Sequence, residues 1–249
     1  MMQEPFLLGV LGGLGPMSTF RFCELITAHT KASCDADHID MIISSRATTP
    51  DRTDFILGRS SLDPLPVMTQ EAHRLERAGA QLIVIPCNTA HYFYKGLQEQ
   101  CHTPILNIIE ETVLFLKSQR IERIGLLATE GTVRSGAYHE QCKKLGLECV
   151  VPTVREQAEI SSLIYQSIKQ NKPFDLSAFL RIAERLCQEG CQKLVLGCTE
   201  LSLINKDKLP QGIFVDSLDV LAYQTLLACK KEPIGFEDFF ETPVGRGEQ

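Results

Sequence analysis

The sequence predicts an α/β protein of two similar lobes, each a parallel β-sheet flanked by helices, with a ligand cleft between the lobes. Two observations lead to this prediction. Short apolar segments alternate with segments of helical periodicity along the chain, as in parallel sheets that helices cover on both faces. In addition, residues 80–89 resemble residues 191–200, so the chain reads as two versions of one unit.

The predicted elements follow from the apolar runs and the turn residues that bound them. The first strand ends where the glycines after Leu11 begin, and a helical pattern starts after Pro16. Asn88 or Thr89 can cap the helix that follows the third strand. Residues 47–53 are predicted to form a loop. The predicted strands are 6–11, 39–43, 81–85, 104–108, 123–128, 147–152, 193–196 and 213–216, and the predicted helices include 17–32, 67–78, 110–118, 132–145, 156–170, 176–189 and 218–229.

The internal repeat places one cysteine at the end of a strand in each half. Residues 80–89 read AQLIVIPCNT and residues 191–200 read CQKLVLGCTE, so Cys87 and Cys198 occupy equivalent positions. Ligands of parallel α/β sheets bind beyond the carboxyl ends of the strands, and we therefore expect both cysteines to face one cleft. We predict that residues 1–108 and 216–249 form the first lobe and that residues 109–215 form the second.

The composition is that of an ordinary globular protein. Hydrophobic residues make up 44% of the 249 residues, charged residues make up 22%, and the formal net charge is −6. No basic stripe indicates a nucleic-acid partner, and no apolar run approaches the ~20 residues of a membrane span. Ten scattered cysteines without a signal peptide predict free thiols and a cytoplasmic protein. Cys187 and Cys191 lack the further ligands that a zinc site needs.

Two cysteines at equivalent strand ends suit the transfer of a proton across one carbon atom. A thiolate on one face of Cα can remove the proton while a thiol on the opposite face returns one. We expect helix N-termini after Cys87 and Cys198 to lower the pKa of both thiols. The alternative for either cysteine is a small buried core residue. The matched contexts favour cofactor-independent amino-acid racemisation.

Polar residues beside the cysteines are candidates for substrate binding. Asn88, Thr89 and Thr199 can donate hydrogen bonds to a substrate carboxylate, or they can serve only as helix caps. The turn at residues 12–15 lacks the spacing of a dinucleotide-binding loop. We expect its backbone, at Gly13, to approach a small ligand closely.

Two basic residues are candidates for binding a second carboxylate. Arg52 lies in the predicted loop after the second strand, and Lys169 lies at the end of a predicted helix. If both face the cleft, they would select an acidic amino acid. Otherwise they are solvated surface charges.

Five short motifs, in order along the chain, resemble the aspartate/glutamate racemase family and most closely its aspartate racemases. The similarity covers residues 6–229. The motifs are Gly9-Val10-Leu11-Gly12-Gly13-Leu14-Gly15-Pro16, Pro50-Asp51-Arg52-Thr53, Pro86-Cys87-Asn88-Thr89-Ala90-His91, Leu126-Leu127-Ala128-Thr129-Glu130-Gly131-Thr132 and Gly197-Cys198-Thr199-Glu200.

The resemblance implies an enzyme that interconverts L- and D-aspartate without pyridoxal phosphate, another cofactor or a metal. It implies Cys87 and Cys198 as the catalytic pair, a small acidic amino acid as the substrate, and a homodimer. Arg52 matches the arginine that the aspartate enzymes use for the side-chain carboxylate, and Lys169 matches the corresponding lysine. Residues and resemblance together predict a substrate-binding set of Gly13, Arg52, Asn88, Thr89, Thr129, Thr132, Lys169 and Thr199.

The sequence departs from the family pattern in three places. Ser44-Ser45-Arg46-Ala47 stands where relatives carry asparagines, which leaves the fine substrate preference open. Glu200 stands where glutamate racemases have a histidine, which favours aspartate. Residues 230–249 extend past the pattern, and we expect Phe236, Phe239 and Phe240 to dock on the body or on a partner subunit.

Other functions fit the same scaffold. A racemase of this type can prefer glutamate, accept both acids or act on a hydantoin, and a maleate isomerase also uses two cysteines. The two cysteines disfavour a decarboxylase, which keeps one. A thiol hydrolase would need His91 as its base, although this residue lies inside a predicted helix. A non-catalytic binding protein on this fold is the remaining alternative.

Overall fold

A computed structural model describes residues 6–236 of the chain. It contains two four-stranded sheets whose paired strands are all parallel. The strand orders are β2-β1-β3-β4 and β6-β5-β7-β8, so the second sheet repeats the topology of the first. The predicted fold class is confirmed.

The strands and helices lie close to their predicted positions. The first sheet contains β1 (Leu7–Gly12), β2 (Asp40–Ser45), β3 (Leu82–Val84) and β4 (Ile105–Leu106). The second sheet contains β5 (Arg123–Leu127), β6 (Glu148–Val150), β7 (Lys193–Leu196) and β8 (Phe214–Asp216). The helices are α1 (Pro16–Ala28), α2 (Arg52–Ile56), α3 (Leu65–Arg77), α4 (Tyr94–Gln100), α5 (Ile108–Ser118), α6 (Glu130–Ser135), α7 (Ala137–Leu145), α8 (Val154–Ser162), α9 (Ser177–Gln188) and α10 (Ser217–Ala228).

The central strands are apolar because helices cover both faces of each sheet. In the first sheet Val10 pairs with Val84, and in the second Leu126 pairs with Val195. All four side chains are fully buried. The register aligns the carboxyl ends of β3 and β7 at equivalent edges of the two sheets.

One of three buried apolar clusters joins the two halves. It combines residues of β1, such as Val10, with residues of β5, such as Leu126, and with residues of α1, α5, α7 and α10. The other two clusters cover the outer faces of the individual sheets. Since α10 follows β8 of the second sheet but packs on α1 and α5, the last helix ties the halves together. The boundaries of the two lobes stay a prediction.

The loop predicted at 47–53 and two of the predicted helices differ from the prediction. The loop at 47–53 contains the start of α2, whose first turn is capped by the carboxylate of Asp51, which accepts from the Asp54 N–H at 3.0 Å. The helix predicted over 132–145 breaks at Gly136, where φ is +72°. The helix predicted over 156–170 continues from α8 into a π-helical turn and a 3₁₀ turn that contains Lys169.

The segment after α10 returns to the first half of the chain. Thr30 bridges Pro233, and Lys31 forms an ion pair with Glu232 at 2.7 Å. Phe236 is buried against the rings of His29 and Tyr223, so it docks on the body. Phe239 and Phe240 lie outside the described residues. Within residues 6–236, no helix has the length and hydropathy of a membrane span.

Candidate active site

Cys87 and Cys198 line one small cavity between the two halves. Its volume is about 10 Å³, barely room for one water molecule. The lining residues come from the carboxyl ends of both sheets and from the segments that follow them. They are Leu14, Asp51, Arg52, Thr53, Cys87, Asn88, Thr89, Thr129, Tyr165, Lys169, Cys198, Thr199 and Glu200.

Local backbone structure fixes the positions of both cysteines. Cys87 follows Pro86, and its N–H donates to the Ile85 carbonyl at 2.7 Å. Gly197 precedes Cys198, and a Cβ there would lie 2.5 Å from Leu126 Cδ1. A larger residue at position 197 would therefore have to displace the buried side chain of Leu126.

Burial dominates the electrostatics of the two thiols. Removal from water raises the pKa of Cys87 and raises the pKa of Cys198 well above its usual value. The charges nearby then act in opposite directions, because Arg52 lowers the pKa of Cys87 while Glu200 raises the pKa of Cys198. The expectation that helix N-termini would lower the pKa of both thiols is wrong for this structure. The chain forms 3₁₀ segments after the cysteines, of five and three residues, and desolvation outweighs their effect.

Arg52 is the first residue of α2, and its guanidinium is buried. Nη1 donates to the carbonyls of Thr49 and Pro50, and Nη2 donates to the Leu14 carbonyl at 2.8 Å. Nε is buried without a hydrogen-bond partner. Within residues 6–236 this guanidinium forms no ion pair. The site thus holds a buried positive charge that only backbone dipoles offset.

Lys169 enters the cavity from the turn that follows the π-helical segment. Its Nζ lies 3.4 Å from Glu200 Oε1 and 4.6 Å from the centre of the Tyr165 ring. Burial alone would lower the pKa of Lys169, but Glu200 and the two thiols raise it above its usual value. The ammonium group therefore stays charged in the site.

Three threonines form a hydroxyl cluster where the two halves meet. The Oγ1 atoms of Thr89, Thr129 and Thr132 lie 2.9–3.0 Å from one another. Thr129 also caps α6 by accepting from the Thr132 N–H at 3.1 Å. Thr89 and Thr129 line the cavity. Thr132 does not line it, but its hydroxyl contacts both of theirs.

Asn88 and Thr199 are engaged across the two halves. The Asn88 amide donates to Ser217 Oγ at 2.9 Å, and its oxygen accepts from the Tyr138 hydroxyl at 2.7 Å. Thr199 Oγ1 donates to the Pro86 carbonyl at 3.2 Å. Both residues line the cavity, but their side chains hold the two cysteine-bearing segments together.

The family model of Asp/Glu/hydantoin racemases matches residues 11–225 of the chain. The chain belongs to this family. Membership implies an isomerase that acts as an amino-acid racemase, which confirms the resemblance seen in the sequence.

Relatives of this racemase differ in substrate. The broad specificity amino-acid racemase RacX of Bacillus subtilis is 27% identical over 224 residues, which cover 88% of this chain and 96% of that protein. A glutamate racemase of Aquifex aeolicus is 29% identical over 145 residues, which cover 55% of this chain and 52% of that enzyme. In fold, the aspartate racemase of Picrophilus torridus is similar with a TM-score of 0.79 at 24% identity, covering 94% of this chain and 99% of that one.

Two predicted residues lie outside the small cavity of this racemase. Gly13 has φ of +82°, and a Cβ there would lie 2.5 Å from the backbone of Arg46. The turn therefore packs closely on the chain's own loop, and Gly13 also lines a second, wider cavity next to the small one, so its contact with a ligand stays a prediction. Thr132 is the other, as described above. The remaining predicted residues line the cavity together.

His91 is a structural residue in this racemase. Its Nδ1 lies 2.9 Å from the Cys87 carbonyl, and its Nε2 accepts from the Ile108 N–H at 3.3 Å. Burial lowers the pKa of His91 to about 4. A neutral ring with both nitrogens bound to the backbone has no free lone pair, which argues against the thiol hydrolase.

A wider cavity of about 720 Å³ lies outside the small one and shares Asp51, Arg52, Lys169 and Glu200 with it. Its position beside the charged residues of the site is that expected of an approach for substrate. Tyr165 and Glu200 are site residues that the sequence reasoning did not assign. The position of Glu200, two residues after Cys198, was the available signal. Within the described part of the chain, no group of three or more His, Cys, Asp or Glu side chains is arranged to bind a metal ion.

Proposed function

We propose that this protein is an aspartate racemase that needs no pyridoxal phosphate and moves the Cα proton between Cys87 and Cys198. One observation carries the proposal: two thiols, one from each half, line a single small cavity beside the buried guanidinium of Arg52, which forms no ion pair within residues 6–236. Two thiols on opposite sides of one carbon suit inversion of its configuration. A buried cation without a carboxylate partner suits an acidic substrate.

The substrate's two carboxylates would be bound at different places. We infer that the side-chain carboxylate binds at Arg52, whose Nε has no partner. The α-carboxylate would accept hydrogen bonds from the hydroxyls of Thr89 and Thr129 and lie within reach of Lys169. These donors would stabilise the negative charge that the α-carboxylate gains when Cα loses its proton.

The proton transfer balances without a further reactant. The thiolate of one cysteine removes the Cα proton. The electron pair of the broken C–H bond stays on Cα as a carbanion and is delocalised onto the α-carboxylate. The other thiol donates its proton to the opposite face and becomes the thiolate. Because the reaction needs free thiols, we propose a reducing compartment, the cytoplasm, as its location.

A broader specificity is the second candidate. It is supported by the similarity to the broad specificity racemase of Bacillus subtilis, which extends over 88% of this chain. A racemase that accepts glutamate or neutral amino acids would use the same two thiols. The substrate panel of the experiment below separates these possibilities.

The test follows each enantiomer of aspartate, glutamate and alanine separately in D2O. We expect L-aspartate to yield D-aspartate that carries deuterium at Cα, while the remaining L-aspartate stays protiated at early times. Chiral chromatography with mass spectrometry measures both quantities. Inert behaviour of every amino acid contradicts a racemase. Equal labelling of substrate and product contradicts two separate proton carriers.

Variants of the cysteines test the same proposal. We expect Cys87→Ser and Cys198→Ser each to lower kcat/KM about 10²-fold or more, because a serine hydroxyl is a far weaker acid than a thiol. Cys34→Ser is the matched control, since Cys34 is an exposed free thiol, and it should retain full activity. Normal activity of either site variant would exclude the two-thiol scheme.

A further inference from the structure

Glu200 contacts one of the two thiols directly. The Cys198 Sγ–H donates to Glu200 Oε2 at 3.1 Å within the buried site. The second oxygen, Oε1, is buried without a hydrogen-bond partner and lies 3.4 Å from Lys169 Nζ. Glu200 is only 6% exposed. Solvent therefore screens the charge of its carboxylate weakly.

The surroundings of Cys87 differ in charge. Arg52 is the charged group that most favours a thiolate at Cys87, Lys169 acts in the same direction, and Glu200 acts against it with a smaller effect than Arg52. The charged and titratable groups that face Cys198 are Glu200, Lys169 and Tyr165. Of these, Glu200 has the larger effect and opposes a thiolate there. The internal repeat makes the two cysteines equivalent in backbone position, but their neighbours make them unequal in chemistry.

We propose that Glu200 is a positioning residue that keeps the proton on Cys198, so that Cys87, beside Arg52, is the thiol of the pair that ionises first. The proposal rests on the proposed function, in which both thiols carry the Cα proton. Glu200 accepts the S–H bond and thereby orients the Cys198 proton. After one turnover the charges are reversed, and a proton must pass from Cys87 back to Cys198 before the same direction can run again.

A difference in protonation between the two thiols would affect the kinetic constants of the two directions in a specific way. The two enantiomers have equal free energy in solution, so kcat/KM must be the same in both directions for any variant. A preference of the resting enzyme for one enantiomer therefore changes kcat and KM together. Substitution of Glu200 should alter the ratio of the two kcat values without separating the two kcat/KM values.

Alkylation rates report how readily each of the two thiols ionises, and they do not require the enzyme to turn over substrate. Iodoacetamide is small and neutral, and Cys87 and Cys198 line the same cavity with exposed fractions of 6% and 4%. Peptide mass spectrometry after short exposures gives a rate for each cysteine between pH 6 and pH 10. We expect Cys87 to react at least about tenfold faster than Cys198 near neutral pH, since the thiolate is the reacting form.

Glu200→Gln removes the negative charge and keeps the size of the side chain. We expect it to raise the alkylation rate of Cys198 about tenfold and to shift its pH midpoint to lower pH by about one unit, with a smaller change at Cys87. Glu200→Asp keeps the charge and should stay within about threefold of the wild type. Glu24→Gln is the control, because Glu24 pairs with Arg21 on the surface.

Two results overturn the proposal. One is equal alkylation of the two cysteines in the wild type, a measurement that does not depend on any variant folding. The other is an unchanged ratio in a folded Glu200→Gln protein. If unequal thiols persist in a protein that racemises nothing, the proposed function fails by itself. If an active racemase has equal thiols, only the present inference fails.

Discussion

At the scale of single residues, buried charge is the informative feature of this protein. Placing an ionised group away from water costs free energy unless partners offset it. Lys169 and Glu200 offset each other, at 3.4 Å. Arg52 has backbone carbonyls but no carboxylate within the described residues. A folded chain tolerates such a cation when it serves an anionic ligand, and this contrast supports the proposal that Arg52 binds the substrate.

Replacement of Arg52 should therefore depend on the substrate. We expect Arg52→Ala to lower kcat/KM for aspartate by about 10²-fold or more, because two or more charge-assisted hydrogen bonds are lost. Any activity on alanine should fall less than about tenfold. The measurement is racemisation of both amino acids by the same enzyme preparation.

Arg52 also binds three backbone carbonyls, so thermal unfolding of the variant should be recorded to separate misfolding from lost binding. Arg155→Ala is the control, since Arg155 is highly exposed. An equal loss on aspartate and alanine would remove the proposed role of Arg52.

At the scale of elements, the turn after β3 depends on a histidine that joins it to α5. The His91 ring contacts the carbonyl of Cys87 and the N–H of Ile108. Both bonds need the neutral ring with its proton on Nδ1. The position of Cys87 is thus linked to the first residue of α5, far along the chain.

Acid should weaken this link. The pKa of His91 in the folded protein is about 4, below its ordinary value of 6.5, so its stabilising contribution is present above pH 6.5 and is lost as the pH falls through 4. We expect about 3 kcal/mol less free energy of unfolding from this residue at pH 4 than at pH 7. Urea unfolding of wild type and His91→Gln at both pH values measures the difference. Every other titratable group is present in both wild type and His91→Gln. If the free energy of unfolding changed equally with pH in the two proteins, the prediction would be contradicted.

At the scale of the whole molecule, the two halves are held closed around the site. The Tyr165 hydroxyl donates to Thr53 Oγ1 at 2.7 Å, and Arg59 pairs with Glu130 at 2.8 Å. The cavity between them has only about 10 Å³, much less than an amino acid needs. We therefore expect substrate binding to require the halves to separate and close again. The homodimer implied by the resemblance stays a prediction.

A substitution at Gly131 should disturb the contact that forms when the two halves close around the site. It lies in α6, and a Cβ there would be 2.7 Å from Thr53 Oγ1 and 2.9 Å from Thr53 Cα in the other half. We expect Gly131→Ala to raise KM about tenfold, because overpacking of about 1–3 kcal/mol acts on the closed state. Steady-state kinetics and thermal unfolding measure the effect.

Gly136→Ala is the matched control for this variant. Its φ of +72° strains an alanine, but nothing lies within 4 Å of the added Cβ. It should lower stability by about 1 kcal/mol and leave KM unchanged. A normal KM for Gly131→Ala would show that this contact does not limit closure.

Sequence reasoning was successful where the signal is local and repeated. The apolar strands, the two equivalent cysteines and the cluster of motif residues were predicted because parallel strands align their carboxyl ends. It failed at the ends of elements. Arg52 begins a helix because Asp51 caps it, and Cys198 precedes a three-residue turn rather than an α-helix. The cap at Asp51 is a local signal that the sequence carried, whereas the short turn after Cys198 depends on packing that a single sequence does not display.

The sequence by itself determined the α/β architecture, its duplication and the family, because hydrophobic periodicity and ordered motifs are properties of the chain. Only the tertiary structure decided the charge around each thiol. Whether Glu200 contacts Cys198, and whether Arg52 has a carboxylate partner, depends on side chains that converge from distant segments at a buried site. At such a site the burial of each charged group, rather than its position in the sequence, determines how strongly it interacts with its neighbours.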